Sequence, residues 1–261
     1  MGNMGTAILK GLLGTVPAQD ITFSCRTEEK KNKIMQETGV RPAASNAAVA
    51  ANADFVVLAV KPQMYAEIFE ELNAAEGSGE FLNNRKIFIS LAPGKTMAYV
   101  SESLGGARVV RAMPNTPALI GCGMSGVAFD EEQFSQEEIA VIDRIFSSIG
   151  KYEKVSEEQI NAVVCASGSS PAYVYLFIER LTETAALKGL PYDAALRMVS
   201  EAVLGAARMV QESGEDPATL RQRVCSKGGT TLAGLAAMEE AGFSKSIEDA
   251  TEACYRRCLE L

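Results

Sequence analysis

Phe55-Val56-Val57-Leu58-Ala59-Val60-Lys61-Pro62 decides the fold class. Six apolar residues in a row, half of them β-branched, read as a strand buried on both faces, and Lys61-Pro62 ends it abruptly. Strands covered on both sides belong to parallel sheets layered with helices. Outward from this run the same texture repeats. Ile21-Thr22-Phe23-Ser24, Lys86-Ile87-Phe88-Ile89-Ser90-Leu91 and Arg108-Val109-Val110-Arg111-Ala112-Met113 are strand-like, with helical stretches such as Glu28 to Glu37 and Met64 to Leu72 between them. Strand–helix alternation at this spacing predicts an α/β domain with a doubly wound parallel sheet.

After about Glu153 the texture changes. Ser156 to Leu261 contains almost no strand-like run, so the chain divides into residues 1–153, α/β, and 154–261, all helical. Pro171 to Leu187 is apolar nearly all round its helix, which marks burial in a core or at an interface. Ala194 to Val210 is a long amphipathic helix. Asp216-Pro217 fits a helix start, with Asp as cap and Pro at the first position. Thr230 to Glu240 and Ser244 to Leu261 complete the helical half.

Composition removes whole classes of chemistry. The 261 residues include no histidine, which excludes Ser-His-Asp hydrolysis, His-ligated metals and imidazole proton transfer. A proton donor must be a hydroxyl, a lysine, a carboxyl group or water. The net charge of −8 argues against nucleic acid as a partner. No run approaches the length of a membrane span and no secretory signal is visible, so no membrane association is expected. The six cysteines form no C-x-x-C pair, suggest no metal site, and read as reduced thiols of a cytoplasmic protein.

The chain opens Met1-Gly2-Asn3-Met4-Gly5 and runs straight into a helical pattern. This matches the last two glycines of G-x-G-x-x-G, in which a helix N-terminus faces the cofactor phosphates. The first glycine and its strand would precede Met1. Some twenty residues on, the strand end reads Ser24-Cys25-Arg26-Thr27 and carries no carboxylate. An acid there would favour NADH, whereas Ser24, Arg26 and Thr27 can hold a 2′-phosphate, so NADPH is expected and NADH is the lesser possibility. Arg26 reads equally well as a solvated loop cation. Three successive strands end in Ala59-Val60-Lys61-Pro62, Leu91-Ala92-Pro93-Gly94 and Met113-Pro114-Asn115-Thr116-Pro117, at the sheet edge where open α/β folds bind ligands. In the helical half, Cys225-Ser226-Lys227-Gly228-Gly229-Thr230-Thr231 precedes a helix and offers N–H groups, hydroxyls and a dipole to a carboxylate. A plain N-cap with a flexible turn explains the same residues.

Taken together, Gly2-Asn3-Met4-Gly5, Ala59-Val60-Lys61-Pro62, Met113-Pro114-Asn115-Thr116-Pro117, Ser167-Gly168-Ser169-Ser170-Pro171-Ala172-Tyr173 and Ser226-Lys227-Gly228-Gly229-Thr230-Thr231-Leu232-Ala233-Gly234-Leu235 resemble the pyrroline-5-carboxylate reductase family. The resemblance covers essentially the whole chain. It implies a Rossmann domain, here without its first strand, followed by a helical dimerisation domain, and homodimers that assemble further into a decamer. It implies NADPH-dependent reduction of a cyclic imine to L-proline, the last step of proline biosynthesis. The cofactor site would comprise Gly2, Asn3, Met4, Gly5, Ser24, Arg26, Asn46, Ala59, Val60, Lys61, Pro62, Leu91, Ala92 and Pro93. The substrate would lie on Ser226, Gly228, Gly229, Thr230 and Thr231, with Thr231 the catalytic candidate through a hydrogen bond to the imine nitrogen. Lys61 serves either through its charge or as loop packing.

There are departures from the family pattern. Lys227 stands where the family often has proline, Ser170 replaces a glycine, and the absent strand fits a start set inside the motif at Met1 or Met4. A catalytically impaired NADP-binding homologue therefore stays open as an alternative. A reductase related to the β-hydroxyacid dehydrogenases fits less well, since the segment from Ser167 to Tyr173 lacks the lysine such enzymes use.

Overall fold

The computed structural model describes residues 1–75 and 86–260. In chain order the elements are α1 (Asn3–Leu12), β1 (Thr22–Phe23), α2 (Glu28–Thr38), β2 (Arg41–Pro42), α3 (Asn46–Asn52), β3 (Phe55–Leu58), α4 (Tyr65–Ala74), β4 (Ile87–Ser90), α5 (Met97–Ser103), β5 (Arg108–Met113), β6 (Gly123–Ala128), α6 (Gln136–Ser147), β7 (Gly150–Lys154) and α7 (Ile160–Val163). A π turn over Val164–Gly168 leads into α8 (Ser170–Leu187), then α9 (Tyr192–Glu212), α10 (Pro217–Arg223), α11 (Thr230–Glu240) and α12 (Phe243–Leu259). Two compact units result: Met1–Pro171 together with Cys254–Leu261, and Ala172–Ala253.

The first unit is a three-layer α/β fold. Strands β3 to β7 lie side by side in chain order, β3, β4 and β5 mutually parallel. The all-apolar reading of β4 explains its place, because alternate residues feed opposite layers. Ile87 and Ile89 pack with Ala7 and Ile8 of α1 and with Ile142, Ile145 and Phe146 of α6. Phe88 faces Ile68, Phe69 and Leu72 of α4 and Val100 of α5. All four residues of β4 are buried, so neither face meets water.

Three strands depart from the sequence reading. β2, β6 and β7 were not anticipated, and β6 runs antiparallel to β5, so the sheet is mainly rather than wholly parallel. The sequence Gly123-Met124-Ser125-Gly126-Val127-Ala128 lacks bulk because there is no room for it. A Cβ on Gly126 would come within 2.6 Å of the Val163 side chain, and one on Gly123 within 2.7 Å of the Ile149 carbonyl. Strands β1 and β2 form a separate parallel pair. Among the described residues no ladder joins β1 to β3. α1 packs on both pieces, Leu9 against Phe23 and Val40, Ala7 and Ile8 against the main sheet.

The last strand ends at Lys154 and only helices follow, while the compact units divide at Pro171 and Ala253. Among the described residues no helix is long and apolar enough to cross a membrane.

Candidate active site

The ends of β3, β4 and β5 and the start of α1 enclose a cleft of about 300 Å³ in the first unit. Gly2, Asn3, Met4, Ala59, Val60, Lys61, Pro62, Leu91 and Pro114 line it. Each arrives for a local reason. Gly2 is the N-cap of α1 in extended conformation and offers no side-chain cap, and the first turn holds no acidic residue. The orphan N–H groups and the positive end of the helix are thus unopposed. Nothing lies within 4 Å of where a Gly2 Cβ would stand, while a Cβ on Gly5 would meet Ala59 at 3.1 Å. Gly2 leaves the mouth open and Gly5 lets α1 close on the β3 loop, the two roles a phosphate-binding turn needs. Lys61 is the extended residue before Pro62, which opens a short 3-10 turn from Pro62 to Met64. Ala92 and Pro93 lie outside the lining.

A buried hydroxyl supports these loops from below. Tyr65 Oη donates to the Leu58 carbonyl and pairs with Ser90 Oγ, both at 3.2 Å, so it ties the end of β3 to the end of β4. Burial pushes its phenol above the usual range, and it stays neutral. The loop after β5 is held differently. Asn115 donates from Nδ2 to the Ser167 carbonyl at 3.0 Å and accepts the Met124 N–H at 2.9 Å, which makes it a pin between β5, β6 and the π turn. The Ser167–Tyr173 motif therefore contributes structure to the first unit through its carbonyl at Ser167.

Beside Asn115, Arg111 is buried with 3% exposure. It reaches Glu157 Oε1 at 3.3 Å and Asn161 Oδ1 at 3.2 Å, and Cys258 Sγ also contacts that Asn161 oxygen. Glu157 in turn accepts the Met97 N–H at 2.6 Å. Composition and periodicity gave no sign of this buried cation, because after Arg108 the strand run around Arg111 is made of Val, Ala and Met.

The other expected cofactor residues gather at the β1 end. Ser24 Oγ donates to Asn46 Oδ1 at 2.5 Å. Asn46 itself donates to Glu71, from its backbone N at 3.1 Å and from Nδ2 at 2.6 Å. Arg26 contacts Met64 Sδ at 3.3 Å, on the turn that follows Pro62, and lies 3.6 Å from Glu67. Glu67 and Glu71, one turn apart on α4, were not anticipated. Their signal was the acidic face of that helix, forty residues beyond the strand end being read.

In the second unit, Ser226, Gly228 and Gly229 lie in the loop before α11, and Thr230 and Thr231 are the first two residues of that helix. Gly228 has φ +72°, which only glycine adopts without strain, and Gly229 is the N-cap with no side-chain cap. Gly229 N–H closes the turn on the Ser226 carbonyl at 2.9 Å, and a Cβ on Gly229 would strike Ser226 Oγ at 2.3 Å. The loop brings the Ser226 hydroxyl and the uncapped N–H groups of α11 together. That arrangement suits a carboxylate, and it is at the same time the N-cap and glycine turn of the plainer reading.

Comparison with known proteins covers the whole length. A model described as pyrroline-5-carboxylate reductase dimerisation matches residues 157–261, and one described as NADP oxidoreductase, coenzyme F420-dependent, matches residues 1–94. Pyrroline-5-carboxylate reductase of Escherichia coli is 37% identical over 263 aligned positions, covering all of this chain and 95% of that protein. The chain belongs to the pyrroline-5-carboxylate reductase family. The Glycine max reductase is 35% identical, again over all of this chain and 93% of its own length. Among solved structures, the reductase from Coxiella burnetii superposes with a TM-score of 0.87 at 34% identity, covering 99% of this chain and 95% of that one. The Plasmodium falciparum pyrroline carboxylate reductase with NADP bound gives the same TM-score at 26% identity, covering 99% and 94%. The family thus accounts for both units: a Rossmann-like first part and a helical second part of the dimerisation type.

Proposed function

We propose that the chain is a pyrroline-5-carboxylate reductase that reduces 1-pyrroline-5-carboxylate to L-proline with NADPH, the last step of proline biosynthesis. The full-length likeness to reductases of that name carries the reading. The cleft supports it, because the residues present suit a dinucleotide: an open glycine at an uncapped helix start, a cation at Lys61, and Pro62 and Leu91 as apolar walls.

NADPH, when bound, supplies the hydride. The chain's own residues bind and orient. The N–H groups at Asn3 and Met4 would hold the pyrophosphate, Ser24, Arg26 and Asn46 would meet the adenosine end, and Ala59, Val60, Leu91, Ala92 and Pro93 would shape the nicotinamide end. In the second unit, Ser226 and the amides of Gly228, Gly229 and Thr230 fix the substrate carboxylate, and Thr231 hydrogen-bonds the ring nitrogen. An iminium accepts hydride far better than a neutral imine. The proton therefore reaches nitrogen from water, and the electron pair of the C=N π bond ends on nitrogen as hydride adds to carbon. With no histidine in the chain, catalysis rests on positioning.

The dimerisation-type helical part supports a homo-oligomer. We infer a homodimer through that part, assembled further into a decamer, in the cytoplasm. The test is loss of NADPH absorbance on addition of pyrroline-5-carboxylate, with proline as the product. Tight NADPH binding without turnover would instead establish an impaired homologue.

A further inference from the structure

We propose that Glu67 sets the balance between NADPH and NADH, by competing with the 2′-phosphate for Arg26. The proposal rests on the cofactor reading above and deepens it.

In dinucleotide folds, an acid near the ribose accepts the 2′-hydroxyl and favours NADH, whereas an arginine holds the 2′-phosphate and favours NADPH. The strand end Ser24-Cys25-Arg26-Thr27 has the arginine and no acid. The fold supplies the acid from elsewhere. Glu67 Oε2 lies 3.6 Å from Arg26 Nη2, and Arg26 also contacts Met64 Sδ on the turn that begins at Pro62, a residue of the cleft wall.

The neighbouring polar groups narrow the assignment to this pair. Ser24 Oγ donates to Asn46 Oδ1, and Asn46 donates to Glu71 from its backbone N–H and from one N–H of its side-chain amide. Ser24 and Asn46 are thus tied into the protein, and Thr27, whose hydroxyl makes no cap bond, can add only a neutral contact, so Arg26 is the charged group of this strand end that carries the recognition. Arg26 and Glu67 are both mostly exposed, at 69% and 72%, so each is free to exchange partners. A phosphate dianion must displace Glu67 from the guanidinium and then stand beside its carboxylate. The 2′-hydroxyl of NADH needs no displacement and can donate to that carboxylate. Glu67 therefore penalises NADPH selectively, and Arg26 rewards it.

The experiment is titration of the intact protein with NADPH and with NADH, following nicotinamide fluorescence. It compares the wild type with Glu67→Gln, Arg26→Gln and the double variant. Glu67→Gln should tighten NADPH about threefold, the scale an exposed ion pair can carry, and leave NADH unchanged or slightly weaker. Arg26→Gln should weaken NADPH about tenfold and spare NADH. In the Arg26→Gln background the Glu67 substitution should move NADPH much less than it does alone. Three results would overturn the proposal: an unmoved NADPH/NADH affinity ratio in Glu67→Gln, an equal shift for both cofactors, or the same gain with Arg26 absent. Because the readout is binding, a failure of imine turnover would overturn the proposed function and leave these outcomes readable.

Discussion

The two units of this chain spend their apolar residues in opposite ways. In the first, β4 buries all four of its residues, and α4 buries Tyr65, Ile68, Phe69 and Leu72. In the second, the eighteen residues of α8 bury only Thr182, the twenty-one of α9 only Ala195 and Val199, and α11 none. Val174, Tyr175, Leu176, Phe177 and Leu181 stand exposed on one helix. A lone chain rarely keeps an apolar surface that large in water. The first unit is a finished core, whereas the second exposes the apolar surface that the homo-oligomer inferred from its dimerisation-type sequence would cover. A helix apolar on most faces in a single chain is thus better read as assembly than as interior.

The comparison breaks most decisively on α8. Replacing Leu176 and Phe177, exposed at 53% and 38%, by glutamate should leave a monomer in sedimentation velocity. The substrate loop shares their unit, so loosening it should lower turnover about a hundredfold, the scale of a small misplacement at a reacting centre. NADPH binding in the first unit should persist. A fully active monomer would show that the second unit needs no partner. The next largest effect belongs to the first unit. Arg111→Met leaves Glu157 without its cation beneath the β5 loop, and urea unfolding should show a loss of about 3 kcal/mol or more. Adding Glu157→Gln should recover part of it, since an uncompensated charge costs more than an absent pair.

Much of this was legible in the sequence. Runs such as Ile87-Phe88-Ile89 carry their own layer assignment, Gly5 and Gly229 mark backbone that passes close to Ala59 and Ser226, and Gly228 marks a turn that needs positive φ. Eight of the expected cofactor positions line the cleft, Gly2 and Lys61 among them. What stayed hidden was long-range. β6 is built of small residues because Val163 and Ile149 press on it, and those neighbours are distant in sequence. Glu67 and Glu71 reach Arg26 and Asn46 only through the folding of α4 onto the β1 end, so a motif that counts from the strand end cannot include them. Arg111 was hidden by its own strand, whose pattern says nothing of the partners at Glu157 and Asn161.

A smaller effect sharpens the division of labour between the units. Thr231→Ala removes a single hydroxyl from the first turn of α11. It should lower kcat about tenfold, the worth of one hydrogen bond to a charged group, and leave the dissociation constant for NADPH unchanged. An equal loss in cofactor affinity would show that the two units do not separate substrate from cofactor as proposed.

The smallest effect is confined to the first unit and is read by pH. Tyr152 of β7 donates its phenolic proton to Asp143 of α6, and this bond, helped by partial burial, pushes the phenol up to about 12 from its ordinary 10. The folded state then holds a proton that the unfolded chain releases first. The contribution is present in full below pH 10 and disappears as pH rises through about 12. Solvent reaches the pair and screens it, so Tyr152→Phe should cost under about 1 kcal/mol at neutral pH. The decisive reading is the slope. Urea midpoints of the wild type should fall faster than those of the variant across the alkaline range, and the two curves should converge at its upper end. Parallel curves would mean that the Asp143 bond does not form in solution, and that α6 is fastened to β7 by its apolar face, Ile142 and Phe146, alone.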